Sequence, residues 1–197
     1  MTYDQLDALG IDHKWLAPFE ETFAKYDIST QLRQAAFIGQ CAHESGNFRI
    51  LEENLNYSAA RLMAVWPSRF TSELVAEQYA HNPQALAEKV YGHRADLGNT
   101  EDGDGWRFHG RGCIQLTGRN LYENCGKGLG VDLVGNPEYL VDPKYAALSA
   151  GWFWNKKGIN PLADSQDYET MTRRINGGLN GLDDRKTKIA KALQVLG

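Results

Sequence analysis

The chain has 197 residues, 42% of them hydrophobic and 23% charged, and a formal net charge of −4. That length supports one complete hydrophobic core, and no apolar run is long enough to cross a bilayer. The mild negative charge speaks against nucleic acid as a partner and against a basic face that would hold the chain stably on an anionic membrane.

Helix punctuation is dense in chain order. Thr2 with Gln5 forms a capping box for a short helix ending near Gly10, and Asp12 caps a second one through Trp15, Phe19, Phe23 and Tyr26. Ser29 or Thr30 caps the next, whose stripe of Leu32, Ala35, Ala36, Phe37 and Cys41 runs to a stop at Gly46. Ser58 opens a helix that Pro67 must end, and Ser72 opens another through Leu74, Val75 and Tyr79. Asn82-Pro83 and Asp142-Pro143 repeat one cap-then-proline pattern, closed by Gly92 and Gly158. Two further helices are expected around Tyr168 to Ile175 and Asp184 to Leu196.

From Asp96 to Thr117 five glycines break up polar residues, which predicts a shaped loop with a short strand at Cys113 to Leu116. No repeat or flexible linker marks a boundary, so residues 1–197 are read as one domain without a separate binding module. The amino terminus lacks the pattern of a secretory signal, which fits synthesis in a cytoplasm and export by a separate machine. Three cysteines without a Cys-x-x-Cys pair suit a reducing place of synthesis and provide no metal site.

Two carboxylates stand out. Glu44 lies in the last turn of the third predicted helix, and Glu53 follows nine positions later, after a turn. Two acids on different local elements can face each other across a groove, one donating a proton while the other handles water or sugar, as cleavage of a glycosidic bond requires. Glu52 competes with Glu53, because neighbours on an extended segment point to opposite sides.

Other chemistries fit less well. His43-Glu44 lacks the second histidine of a zinc protease, since Asn47 stands there. Cys41 and His43 are two apart on a helix and do not share a face, whereas Cys113 or Cys125 with His109 or His93 leaves a thiol peptidase open. Asp102-Gly103-Asp104-Gly105 fails the register of a calcium loop. Most aromatics read as core; Trp106, inside the glycine loop, is the one expected in the cleft, with Tyr57 beside the second acid.

Ala42-His43-Glu44-Ser45-Gly46, then Gly105 to Arg119 (GWRFHGRGCIQLTGR), then Ile175-Asn176-Gly177-Gly178 resemble glycoside hydrolase family 19, a family of chitinases and bacteriophage endolysins. The block Glu53-Asn54-Leu55-Asn56-Tyr57-Ser58 is similar to the endolysin branch. The resemblance implies a mainly α, lysozyme-like two-lobed fold with a substrate groove, little or no β structure, and hydrolysis with inversion. It implies Glu44 as general acid, Glu53 as general base, and Thr117 as the residue that helps hold the attacking water. It also implies Gln115, Asn120, Arg111, Asn176 and Arg185 as groove residues. Asn120 sits one position earlier than the family's asparagine. The substrate so implied is the β-1,4-linked glycan strand of peptidoglycan, with chitin as the alternative and an inactive glycan-binding protein as the alternative of another class. A monomer without metal or organic cofactor, reaching the wall after holin-type release, completes the expectation. Burial against Phe37 or Phe48 is expected to protect the proton on Glu44, and Glu53 is expected to stay ionised by being wetter or by pairing with a cation such as Arg185 or Arg111.

Overall fold

Side-chain caps open most of the helices in the computed structural model, which describes residues 1–197. The Thr2–Gln5 capping box forms on α1 (Tyr3–Leu9), and Gly10 ends it in the left-handed conformation. Asp12 caps a 3₁₀ turn at His13–Trp15, so the expected second helix is divided and continues as α2 (Leu16–Lys25). Thr30 accepts the Arg33 amide at 3.2 Å and opens α3 (Gln31–Glu44). Ser58, Ser72 and Asn82 cap α4 (Ala59–Val65), α5 (Glu73–Glu77) and α6 (Pro83–Tyr91). A four-residue α7 (Asp104–Arg107) interrupts the glycine loop, and α8 (Arg119–Leu129) follows it. Asp142 caps α9 (Pro143–Lys156), which leads to α10 (Asn160–Asp164), α11 (Tyr168–Asn176) and α12 (Leu182–Leu196).

The core divides unevenly. A cluster of 26 buried residues joins α1, α2, α3, α9 and α12, with Phe19, Phe23, Phe37 and Trp154 in edge or stacked aromatic contact. A separate cluster of 7, from Leu55 to Val90, holds α4, α5 and α6 together. A third, of 6, packs Phe108 and Leu116 against Tyr122 and Cys125 of α8. The molecule is therefore the expected mainly α, two-lobed structure, and the segment between α3 and α4 runs from the large lobe into the small one.

The strand expected at Cys113 to Leu116 does not form. Gly112 and Gln115 have φ of +82° and +53°, which turns the chain back so that Arg111 and Leu116 exchange both backbone hydrogen bonds, at 3.1 and 2.8 Å. Only isolated bridges result: Arg111 with Leu116, Glu52 with Arg111, and Arg94 with Asn99. No helix is long and apolar enough to cross a membrane.

Candidate active site

Glu44 is the last residue of α3, which is buried on all sides from Ala35 to Ala42. Immediately after it the chain reverses through three successive left-handed residues, Gly46, Asn47 and Phe48, with φ of +55°, +62° and +63°. A phenylalanine in that conformation costs about 1–3 kcal/mol. Burial of its ring contributes about 1.5–3 kcal/mol in return, and Phe48 is 3% exposed with Trp15 and Phe19 each 5.0 Å away between ring centroids. Ser45 braces the same turn, its hydroxyl donating to the Cys41 carbonyl at 2.6 Å and accepting the Phe48 amide at 2.9 Å. Asn47 donates to the Gly10 carbonyl at 2.8 Å.

The carboxylate of Glu44 meets Arg185, a residue of α12 that is 1% exposed. The other arm of that guanidinium donates to Gln40 at 2.6 Å, and its Nε donates to the Asn180 carbonyl at 3.2 Å. One residue earlier on both helices, His43 and Asp184 pair at 2.6 Å, and His43 holds the Asp184 carboxyl below the usual carboxylate range. Two expectations are corrected here. Phe37, on α3, packs on Phe23 and Trp154, and Phe48, in the turn after it, packs on Trp15 and Phe19, so both rings serve the core rather than Glu44. Arg185 serves Glu44 and not Glu53, because the first turn of α12 abuts the end of α3.

Glu53 is held by the glycine loop. Its amide donates to the Gly110 carbonyl at 2.8 Å, and its carboxylate accepts the Gly110 amide at 3.2 Å and the Tyr91 hydroxyl at 2.7 Å. Gln115 shares this space: a Cβ at Gly110 would lie 2.9 Å from Gln115 Oε1 and 3.2 Å from Glu53 Oε2, so a side chain there would displace the ends of both. Thr117 donates to the Gln115 carbonyl at 3.1 Å. Arg111, the other expected partner of Glu53, turns away to Glu52 at 3.0 Å, the Arg107 carbonyl at 2.8 Å and Tyr122 at 3.3 Å. Glu52 also meets His109 at 3.0 Å, so the two adjacent acids have separate partners, as their opposite directions require.

The structure thus brings Glu44 together with Arg185 and Glu53 together with Gln115, with Thr117 two residues beyond Gln115 on the same turn. Cys41 of α3 and Cys113 of the loop lie in one core cluster, which packs the loop against the helix that carries Glu44. Asn176 donates to the Asn180 carbonyl at 3.5 Å, the same oxygen that Arg185 uses. Tyr57 is half-buried, 5.3 Å from Trp66 between ring centroids, and close enough to Tyr91 to push up its phenol. Three expected groove residues stand apart. Trp106 stacks on His109 at 4.5 Å, and with Arg111 it lines a charged concavity of about 520 Å³ around Asp104 and Arg107 that includes neither Glu44 nor Glu53. Asn120 is exposed on the first turn of α8, against Gly98.

The sequence reading did not reach Tyr91. Burial first, then the neighbouring Glu53, pushes its phenol far above the ordinary range, so it keeps its proton and donates a hydrogen bond to Glu53. Nor did it reach Asn99, buried between Tyr91 and Arg119; neither residue has a local pattern to mark it. No group of three or more His, Cys, Asp or Glu residues is placed to hold a metal ion.

The two-lobed, mainly α scaffold defines a lysozyme-like fold. The family described as chitinase class I, glycoside hydrolase 19, matches residues 15–163. A glycosyl hydrolase family 19 domain-containing protein of Haemophilus influenzae is 40% identical over 166 residues, 84% of this chain and 80% of that protein. An endochitinase of Arabidopsis thaliana is 32% identical over 160 residues, 80% of this chain but 44% of its own length. Among solved structures, chitinase C of Streptomyces griseus has the same fold with a TM-score of 0.69 at 20% identity, over 100% of this chain and 76% of that one. Another bacterial family 19 chitinase gives 0.64 at 22% identity, over 100% and 94%. The chain belongs to glycoside hydrolase family 19 and is a chitinase-like glycoside hydrolase.

Proposed function

We propose that this glycoside hydrolase cuts the β-1,4-glycosidic bonds of bacterial peptidoglycan in the manner of phage endolysins, acting at the cell wall with inversion at the anomeric carbon. Glu44 protonates the leaving oxygen, Glu53 takes a proton from water, and Thr117 helps hold that water. The observation that carries this reading is the separate anchoring of the two acids: Glu44 is fixed by Arg185 of α12, and Glu53 by Tyr91 and Gly110. Independent supports let two carboxyls stand apart with water between them, and an inverting enzyme needs about 6.5–9.5 Å for that purpose. Gln115, Tyr57 and Asn176 are the side chains assigned to the sugar. Arg111, 7% exposed and committed to Glu52, orders the loop instead.

Peptidoglycan is favoured by the nine-residue spacing of the acids and by the run from Glu53 to Ser58, which resembles endolysins. Chitin is the second reading, because a plant relative is an endochitinase. The test is clearing of outer-membrane-permeabilised cells, with parallel assays on purified sacculi and on chitin oligomers. New reducing ends without new amines are expected from sacculi. Glu44→Gln and Glu53→Gln should each lower the rate about 10²–10⁴-fold while remaining folded. Full activity in Glu44→Gln, or amines instead of reducing ends, would end the proposal; cleavage of chitin oligomers alone would move it to the second reading.

A further inference from the structure

Each oxygen of Glu53 has one donor, and the two donors differ in kind. The Gly110 amide on Oε2 comes from the loop, whereas the Tyr91 hydroxyl on Oε1 comes from the last residue of α6, in the small lobe. Tyr91 is itself held from behind. Its carbonyl accepts from Asn99 Nδ2 at 2.9 Å, and Asn99 Oδ1 accepts the Arg119 amide at 2.8 Å. Asn99 is wholly buried, and Arg119 opens α8 two positions after Thr117. The Arg119 guanidinium is clamped on buried Asp104 at 2.9 and 2.5 Å, and Asp104 also accepts the amides of Thr100 and Glu101 at 3.1 Å each. One buried amide side chain therefore ties the end of the helix carrying Tyr91 to the segment carrying Thr117.

We infer that Tyr91 is a positioning residue of the hydrolytic step, its hydroxyl fixing which lone pair of Glu53 faces the attacking water, and that Asn99 keeps Tyr91 and Thr117 in a common register. This rests on reading Glu53 as the general base. A carboxylate bound only by the Gly110 amide is free to rotate about its terminal torsion, whereas bonds to both oxygens leave one orientation. Orientation of this kind acts on the chemical step rather than on substrate affinity, because the aligned lone pair matters only when the water loses its proton.

The decisive comparison is Tyr91→Phe against 3-fluorotyrosine at the same position, since both keep the ring and only the second keeps the donor. Tyr91→Phe is expected to lower kcat about 10–100-fold with KM changed less than about 2-fold, and 3-fluorotyrosine to restore kcat to within about 3-fold. Asn99→Ala is expected to lower kcat in the same sense, with little further loss when Tyr91→Phe is added. If Asn99→Ala does not fold, the position 91 pair decides alone. Wild-type kcat in Tyr91→Phe beside an inactive Glu53→Gln would overturn the inference and leave the base assignment standing. So would an equal loss in the 3-fluorotyrosine protein, which would mark a packing effect. An active Glu53→Gln would remove the base assignment and this inference with it.

Discussion

Asp104 shows how a single buried carboxylate can support the loop beside the candidate site. Burial works to raise its pKa, but the Arg119 guanidinium and the amides of Glu101 and Thr100 outweigh it and hold the carboxyl below the usual range. A carboxylate depressed in the folded state contributes stability that is full above its unfolded value, about 3.9, and is lost as pH falls through the folded value. Asp104→Asn should therefore weaken the protein at neutral pH and remove part of its acid sensitivity. A loss of about 3 kcal/mol is expected, the low end for a broken buried pair, because the Arg119 side chain is 30% exposed and can be partly rehydrated. Urea titrations of both proteins between about pH 2 and pH 7 would check this, with the two stability curves converging toward the acid end. Parallel curves across that range would mean that Asp104 is not the titrating group.

The contact of α3 with α12 governs Glu44 at the scale of elements. Gly39 lies against Ile189, where an added Cβ would come 2.4 Å from the Ile189 side chain and 2.8 Å from its backbone nitrogen. The helices touch there because α3 has no side chain, and less than two turns further along they pair Glu44 with Arg185 and His43 with Asp184. Gly39→Ala must push the axes apart, at about 1–3 kcal/mol, and draw Arg185 away from Glu44. Chemical denaturation and hydrolysis rates should fall together; a variant as stable and active as the parent would contradict this close approach. The same scale explains what could be read in advance. Helices opened by Thr2, Thr30, Ser58, Ser72, Asn82-Pro83 and Asp142-Pro143 carry their signal within four residues. Helix α8 does not: Gly118 stands at its cap and Gly126 and Gly128 lie inside it, and its helicity depends on burying Tyr122 and Cys125. The positions of Glu44 and Glu53 were legible from spacing, but their partners were not. Arg185 is 141 positions from Glu44 and Tyr91 is 38 from Glu53, separations at which only tertiary packing decides who meets whom. The expectation that Arg185 or Arg111 pairs with Glu53 rests on charge alone, and packing gives these arginines to Glu44 and Glu52 instead.

The whole molecule divides by sequence as well as by space. Every member of the small-lobe cluster, Leu55, Leu62, Phe70, Ala76, Leu86, Ala87 and Val90, lies in one continuous stretch, whereas the 26-residue cluster draws on both ends of the chain. A small core made of local contacts can open without dissolving the larger one, so α4 to α6 should act as a unit of lower stability. Glu53 and Tyr91 sit at the two ends of that stretch and bond to each other, so their hydrogen bond closes the unit where it meets the candidate site. Amide hydrogen exchange followed by mass spectrometry is expected to label α4, α5 and α6 well before α3, α9 and α12. Tyr91→Phe should accelerate that early labelling and leave the large lobe unchanged. Equal protection in both lobes would mean that they unfold together, and the junction between them would then be a rigid seam rather than one where the small lobe opens first.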